Sequence, residues 1–234
     1  MATAKTHLDN DPIAGEESSD EAIWYYQCSS PECNLRFPSP VKENIVCPFC
    51  KSVTNKTIPA GNYQSTKPPA HLLTVSFSIL LDNLRSVYNV GSILRTSDGA
   101  GVQHAYLCGI TPTPLHPRLS KTALSAEIHT SWSHHPNGVM LVHTLKQSGH
   151  FIIGLETGGG ACDLFVERIQ STEKTTLIVG NEISGIDPAI LEQCDRVYTL
   201  PMLGRKSSLN VAVSFGIAVY HLNFNKSAFP SVQS

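Results

Sequence analysis

Arg196-Val-Tyr-Thr-Leu-Pro-Met-Leu-Gly-Arg-Lys-Ser-Ser-Leu-Asn-Val211 reads as strand, loop and helix start in one stretch. Arg196–Leu200 is the strand, the loop begins at Pro201, and Ser207-Ser-Leu-Asn-Val211 opens a helix. That helix, Val211–Tyr220, is apolar almost all round, so burial on several sides is expected. Two upstream stretches repeat the strand-to-loop step. Thr176-Leu-Ile-Val179 runs into Gly180-Asn-Glu-Ile-Ser-Gly185, and Phe151-Ile-Ile-Gly-Leu155 runs into Glu156-Thr-Gly-Gly-Gly160. Thr74-Val-Ser-Phe-Ser-Ile-Leu-Leu81 reads as a further strand, ahead of Asn89-Val-Gly-Ser-Ile-Leu-Arg95, and Val102–Cys108 as another. Helical patterns fall between them, over Val90–Ala100, Val139–Gln147 and Pro188–Cys194. This alternation predicts an α/β domain, a mostly parallel sheet with helices on both faces. Ligands of such sheets bind beyond the carboxyl ends of the strands. Four loops converge there, which places a site but names no reaction.

Several chemistries fall away. Gly158-Gly-Gly160 is not followed by the Lys-Ser or Lys-Thr that a phosphate-binding loop requires, and no Gly-x-Gly-x-x-Gly opens a helix. Nucleotide hydrolysis and dinucleotide binding are therefore disfavoured. No His-x-x-x-His or paired-carboxylate pattern suggests metal hydrolysis. His134-His135, in a Pro-Asn-Gly turn, reads as solvated surface.

The cysteines fall into two groups. Cys108, Cys162 and Cys194 sit singly among apolar neighbours, where a thiol behaves as a small hydrophobe. Cys28, Cys33, Cys47 and Cys50 form a Cys-x4-Cys pair and a Cys-Pro-Phe-Cys pair among turn residues, like a zinc ribbon or rubredoxin-type knuckle. Two such loops can place four thiolates at the corners of a tetrahedron, as structural zinc requires. Iron is the chemical competitor, and two disulfides are the covalent one. Four thiolates leave no open position, so the centre is expected to fold the module or to contact a partner such as RNA, not to catalyse.

Composition sets the outer limits. The chain has 234 residues, 41% hydrophobic and 15% charged, as in an ordinary globular protein. Its net charge of -2 neither requires nor excludes a nucleic-acid partner, so any RNA surface must be local. Residues 1–22, with Asp9, Asp11, Glu16, Glu17, Asp20 and Glu21, read as a disordered acidic leader, too acidic for a transit peptide and without a secretory core. No apolar run approaches the roughly 20 residues of a membrane span. A cytoplasmic location with no membrane partner is expected. The divisions that follow are a metal module at 23–54, a linker at 55–71, the α/β domain at 72–224 and a tail at 225–234.

From about Val75 to Tyr220 the three segments Asn89–Arg95, Gly180–Gly185 and Pro201–Val211 resemble the signature motifs of the SpoU (TrmH) branch of the SPOUT RNA methyltransferases. The resemblance implies methyl transfer from S-adenosylmethionine to a ribose 2'-hydroxyl of RNA, with tRNA ahead of rRNA. A catalytically silent RNA-binding or scaffold protein is the alternative. It also implies a C-terminal trefoil knot and a homodimer, in which Arg95 serves the site of the other subunit. Asn89, Arg95, Glu182, Ser208 and Asn210 are the implied catalytic set. Leu155, Glu156, Thr157, Gly180, Leu200, Met202 and Leu209 are the implied cofactor contacts. Asn89 is expected to cap its helix, and Arg95 to fix a phosphate and polarise the hydroxyl, since a guanidinium does not give up its proton. Glu182 is expected to anchor its loop or Arg95. The free N–H groups at the Ser207–Val211 helix start are expected to hold cofactor or phosphate. Ala212 stands where the family often has a second serine. Lys121–Glu127 resembles the family's substrate-side segment.

Overall fold

A computed structural model of the chain describes residues 22–40, 44–61, 76–119, 130–158, 160–166 and 174–224. The chain divides into two compact units, Met1–Lys67 and Pro68–Ser234. The segments expected as leader and tail, and Lys121–Glu127, lie outside the described residues.

In the first unit, β1 (Ile23–Cys28) lies between β2 (Arg36–Pro40) and β3 (Thr54–Pro59), antiparallel to both. β3 occupies residues expected in the linker. Its prolines suggested a connector, yet Pro59 ends an edge strand, where the missing N–H interrupts no ladder. Pro38 and Pro40 occupy the other edge.

The second unit is built on seven strands: β4 (Ser76–Asp82), β5 (His104–Cys108), β6 (Ser131–His135), β7 (Phe151–Leu155), β8 (Cys162–Asp163), β9 (Lys174–Val179) and β10 (Arg196–Thr199). They run in the order β6-β5-β4-β9-β7-β10-β8, and every pairing is parallel. Among the described residues four helices accompany them: α1 (Val87–Ala100), α2 (Gly138–Gln147), α3 (Pro188–Leu191) and α4 (Val211–Phe224). The side-chain period of two assigns each strand residue to a face. Phe77, Ile79 and Leu81 of β4, with Leu177 and Val179 of β9, pack with Val90, Ile93 and Leu94 of α1 and Phe215, Ala218 and Val219 of α4. The intervening Leu80 and Ile178, with Ile152 of β7, turn to Val142 and Leu145 of α2 and Ile190 of α3. Both faces are covered, as a parallel sheet demands.

Three local readings change. β6 is polar and escaped notice. As an edge strand beside β5 it places His135 in the sheet, not in solvated turn surface. His104 Nε2 and His135 Nε2 each lie 2.8 Å from Ser133 Oγ. Desolvation, then the neighbouring imidazole, lowers the pKa of both histidines. The helix expected over Pro188–Cys194 is a single turn, capped by Asp187, because the chain must enter the sheet by Asp195, whose N–H donates to Ile152 O at 2.8 Å. Among the described residues no helix is long and apolar enough to cross a membrane.

Ile79 is fully buried at the centre of the sheet. Ile79→Ala is expected to cost about 2–5 kcal/mol, read as a lower denaturant midpoint at unchanged slope.

Candidate active site and metal centre

A cavity of about 400 Å³ opens beyond the carboxyl ends of β7, β9 and β10. All seven expected cofactor contacts line it: Leu155, Glu156 and Thr157 after β7, Gly180 after β9, and Leu200, Met202 and Leu209 after β10. Glu182, Ser208 and Asn210 of the expected catalytic set line it too. Asn181, Ile183 and Ser214, which the motif reading left aside, complete much of the wall.

The wall has its shape because the chain folds tightly on itself. Asn181 and Gly185 pair as an isolated bridge, with mutual N–H to O bonds of 2.9 and 3.0 Å. A Cβ on Gly180 would fall far inside contact distance of the Gly185 and Ile186 main chain, so only glycine fits. Gly185 adopts φ 73°, in the left-handed region, with the Glu156 carboxylate where a Cβ would stand. Glu156 accepts from Ile186 N at 2.9 Å and Thr157 N at 2.8 Å. Its carboxylate is thus engaged in binding two loops together. Asn181 accepts from Ile183 N and Ser184 N and donates through Nδ2 to Asn83 O at 2.7 Å. An asparagine between Gly180 and Glu182 was a readable sign of such a side-chain turn.

A second network joins all three motifs. Glu182 accepts from the N–H groups of Arg85 and Ser86, each at 3.0 Å, and from Asn89 Nδ2 at 2.9 Å. Asn89 Oδ1 in turn accepts from Asn210 Nδ2 at 3.1 Å. Asn210 Oδ1 accepts from Ala212 N at 2.9 Å and Val213 N at 3.4 Å. One expectation is corrected here. Ser86, not Asn89, caps α1, which frees the Asn89 side chain to bridge Glu182 and Asn210. The start of α4 is capped by Asn210, which engages the N–H groups of Ala212 and Val213, beyond the Ser207–Val211 groups expected to hold cofactor or phosphate. Glu182 anchors residues 85–89, not Arg95. Burial pushes its carboxyl pKa up, but the Arg85 N–H, the Asn89 amide, its own backbone and the Ser86 N–H outweigh burial and hold it below the usual range.

Arg95 does not line this cavity. It lies on the exposed side of α1, six residues beyond Asn89, or about 9 Å along the helix axis.

In the first unit, Cys28, Cys33, Cys47 and Cys50 place all four sulfurs within 4.8 Å of one another. Cys28–Cys50 and Cys33–Cys47 are 3.4 and 3.8 Å apart, and none of the four is in a disulfide. Four thiolates about 2.3 Å from a central ion sit about 3.8 Å apart, so the set fits a tetrahedral metal. Hydrogen bonds from the Ser52 side chain and backbone pull Cys50 down to about 6. At Cys33 a Leu35 backbone hydrogen bond lowers the pKa, but burial and the neighbouring thiols outweigh it and push the thiol up to about 12. A metal would therefore have to displace protons from part of the set.

Residues 76–220 match the SpoU rRNA Methylase family. The chain belongs to that family. It is 33% identical over 155 residues to the 23S rRNA (guanosine(2553)-2'-O)-methyltransferase RlmP of Bacillus subtilis, covering 66% of this chain and 61% of that protein. Its fold is shared with the TrmH/SpoU tRNA modifying enzyme of A. aeolicus, at TM-score 0.58 and 25% identity over 65% of this chain and 77% of that one. It is shared too with the SpoU methyltransferase AviRb of Streptomyces viridochromogenes, solved with AdoMet, at TM-score 0.60 and 21% identity over 77% and 71%. The chain spans about three fifths of the length of the curated relatives it matches.

A carboxyl with a depressed folded pKa stabilises the fold fully above its unfolded pKa, and that contribution is lost as pH falls through the folded value. Glu182→Gln is therefore expected to flatten the acid limb of a stability-against-pH profile. An acid limb as steep as wild type would contradict the assignment.

Proposed function

We propose that the chain transfers a methyl group from S-adenosylmethionine to a ribose 2'-hydroxyl of RNA. The observation that carries this is a cavity lined by all seven expected cofactor contacts and closed at one side by the Glu182–Asn89–Asn210 network, in a chain of the SpoU family. S-adenosylmethionine supplies the methyl group. The residues around it bind, orient and exclude water, which methyl transfer needs more than it needs a metal. Leu155, Leu200, Met202 and Leu209 give the cavity an apolar lining, while Glu156 and Gly180 hold the loops at their spacing. Arg95 fixes the RNA phosphate beside the acceptor ribose and polarises the 2'-hydroxyl, whose proton leaves through phosphate or water. Using that hydroxyl as nucleophile selects RNA over DNA. Both rRNA and tRNA enzymes stand among the relatives, so the sequence preference for tRNA is set against the rRNA specificity of RlmP.

The reading includes a homodimer. α4 carries an exposed apolar stripe, Val213, Ile217, Tyr220 and Phe224, at helical spacing opposite its buried Phe215, Ala218 and Leu222. A second copy suits that stripe and would receive Arg95 from its neighbour. The reading also includes the trefoil knot that the resemblance implies. The four-cysteine centre holds zinc as a structural ion in this reading, its closed thiolate set leaving no open position for catalysis.

Incubation with methyl-labelled S-adenosylmethionine and unmodified tRNA or rRNA, followed by digestion to nucleosides, tests the reaction. Label in a 2'-O-methylnucleoside is the expected result. Label on a base overturns it, and absence of cofactor binding favours the silent RNA-binding alternative. Arg95→Lys is expected to lower turnover at least tenfold with cofactor affinity unchanged. Ile217→Asp is expected to yield monomers in sedimentation. Chelation is expected to abolish hydrogen-exchange protection in 22–61 while sparing 76–224.

A further inference from the structure

The three-stranded sheet of the first unit has two unlike faces. Strand alternation sends Trp24, Tyr26 and Cys28 to one side, where Tyr26 and Cys28 are buried and Phe37 stacks on Tyr26 with centroids 6.2 Å apart. It sends Ile23 and Tyr25 to the other, with their register partners Pro40 and Pro38 and with Arg36, the partner of Gln27. Arg36, Pro38, Pro40 and Ile23 are all exposed, so this second face is open. The Arg36 guanidinium lies over the Tyr25 ring, 5.4 Å from its centroid. The Tyr25 main chain is pinned as well, its carbonyl accepting from Thr57 Oγ1 at 2.8 Å.

Charge supplies a second, independent observation. The described residues of this unit carry three cations, Arg36, Lys51 and Lys56, against one acid, Glu32. Among the described residues no acidic side chain pairs with any of the three cations. Four thiolates on a divalent ion would carry two negative charges and cancel that excess, so the relevant charge is local: the open face carries Arg36 and, among its described residues, no acid. Cys28 points to the opposite face, which turns at least one thiolate of the metal centre away from Arg36.

We propose that this open face docks an unpaired strand of the RNA substrate, a base stacking on the Arg36–Tyr25 pair and Arg36 also meeting a phosphate. A planar guanidinium held on an aromatic ring is itself a surface on which a base stacks, and its charge suits the backbone alongside. A pinned strand presents that pair without the ordering cost of a mobile loop. The flat prolines and Ile23 beside it offer apolar contact to a neighbouring base or sugar. An acidic peptide would use the cations but leave the ring idle, so a polyanion with π faces is the better match. The inference rests on the RNA-modifying reading above and assigns the metal module the task of gripping RNA.

The test uses the full, metal-loaded chain and a short, unstructured, labelled uridine-rich oligoribonucleotide, read by fluorescence anisotropy. Tyr25→Ala is expected to weaken binding roughly 5- to 100-fold, the range for loss of one aromatic stack, and Tyr25→Phe to retain it. Arg36→Ala is expected to weaken binding and to reduce the slope of log affinity against log salt by about 0.7, one single-strand phosphate contact. Metal content and S-adenosylmethionine affinity are measured on each variant to show that both units remain folded. Unchanged affinity in the Tyr25→Ala, Arg36→Ala double variant overturns the proposal. So does equal loss from Lys56→Ala on the opposite face, or displacement of the RNA by polyglutamate as readily as by unlabelled RNA. Methyl transfer is assayed separately: binding that responds to Tyr25 without any transfer fails the catalytic reading alone, whereas transfer with no response at Tyr25 and Arg36 fails this one alone.

Discussion

The site depends on one carboxylate. Glu182 gathers two main-chain N–H groups and the Asn89 amide, and Asn89 passes the connection to Asn210. Each partner comes from a different strand-to-helix junction, after β4, β9 and β10. Their positions relative to one another are therefore fixed by side chains, not by the sheet alone. A parallel sheet fixes where strands end to within an ångström or so, but its loops are free to splay. Charge-assisted hydrogen bonds to a single acceptor remove that freedom, and a carboxylate with several donors keeps its charge. Glu156 does the same on the neighbouring side, joining the loop after β7 to Ile186. Two glutamates thus set the outline of a cavity whose lining is otherwise largely apolar or main chain.

Much of this was legible in the sequence because strand and loop chemistry are local. Thr176–Val179, Phe151–Leu155 and Arg196–Leu200 are short apolar runs ending at glycine, glutamate or proline, and strands and loops appear there within two residues. What was not legible depended on partners distant in the chain. Asn89 looked like a helix cap, since asparagine near a helix start usually is one. Only the presence of Ser86 three residues earlier, and of Glu182 and Asn210 about a hundred residues later, releases it for another task. β6 was missed because Ser131-Trp-Ser-His-His135 is polar, and its strand character comes from pairing along β5. β3 was missed because prolines weigh against strands in general but not at an edge.

The two units solve the problem of stability by different means. The described residues of the second unit bury both faces of a seven-stranded sheet under helices, with cores on either side. The first unit has three short strands and one face open, too little apolar burial for a domain of that size. In the proposed reading a metal held by its four sulfurs, which are already gathered within 4.8 Å, would supply the missing constraint. A metal-folded unit can leave a sheet face uncovered without unfolding, which a unit held only by its core cannot do.

The position of Arg95 turns this arrangement into a statement about assembly. The Glu182 network holds the first turn of α1 against the cavity, so the helix axis then carries Arg95 about 9 Å away, on its exposed side. Bending α1 to return the guanidinium would break its packing with α4, where Gly99 lies against the Tyr220 hydroxyl and Gly216 against Thr96. The small residues at those crossings let the two helices lie close. In the proposed reading, a guanidinium so placed meets a site approached from outside its own subunit. The apolar stripe on α4 lies on the helix packed beside α1, and a second copy seated on it would meet α1 as well. The same rigidity that forms the cavity holds Arg95 outside its lining, and in the proposed reading a second copy is what would bring an arginine back to it.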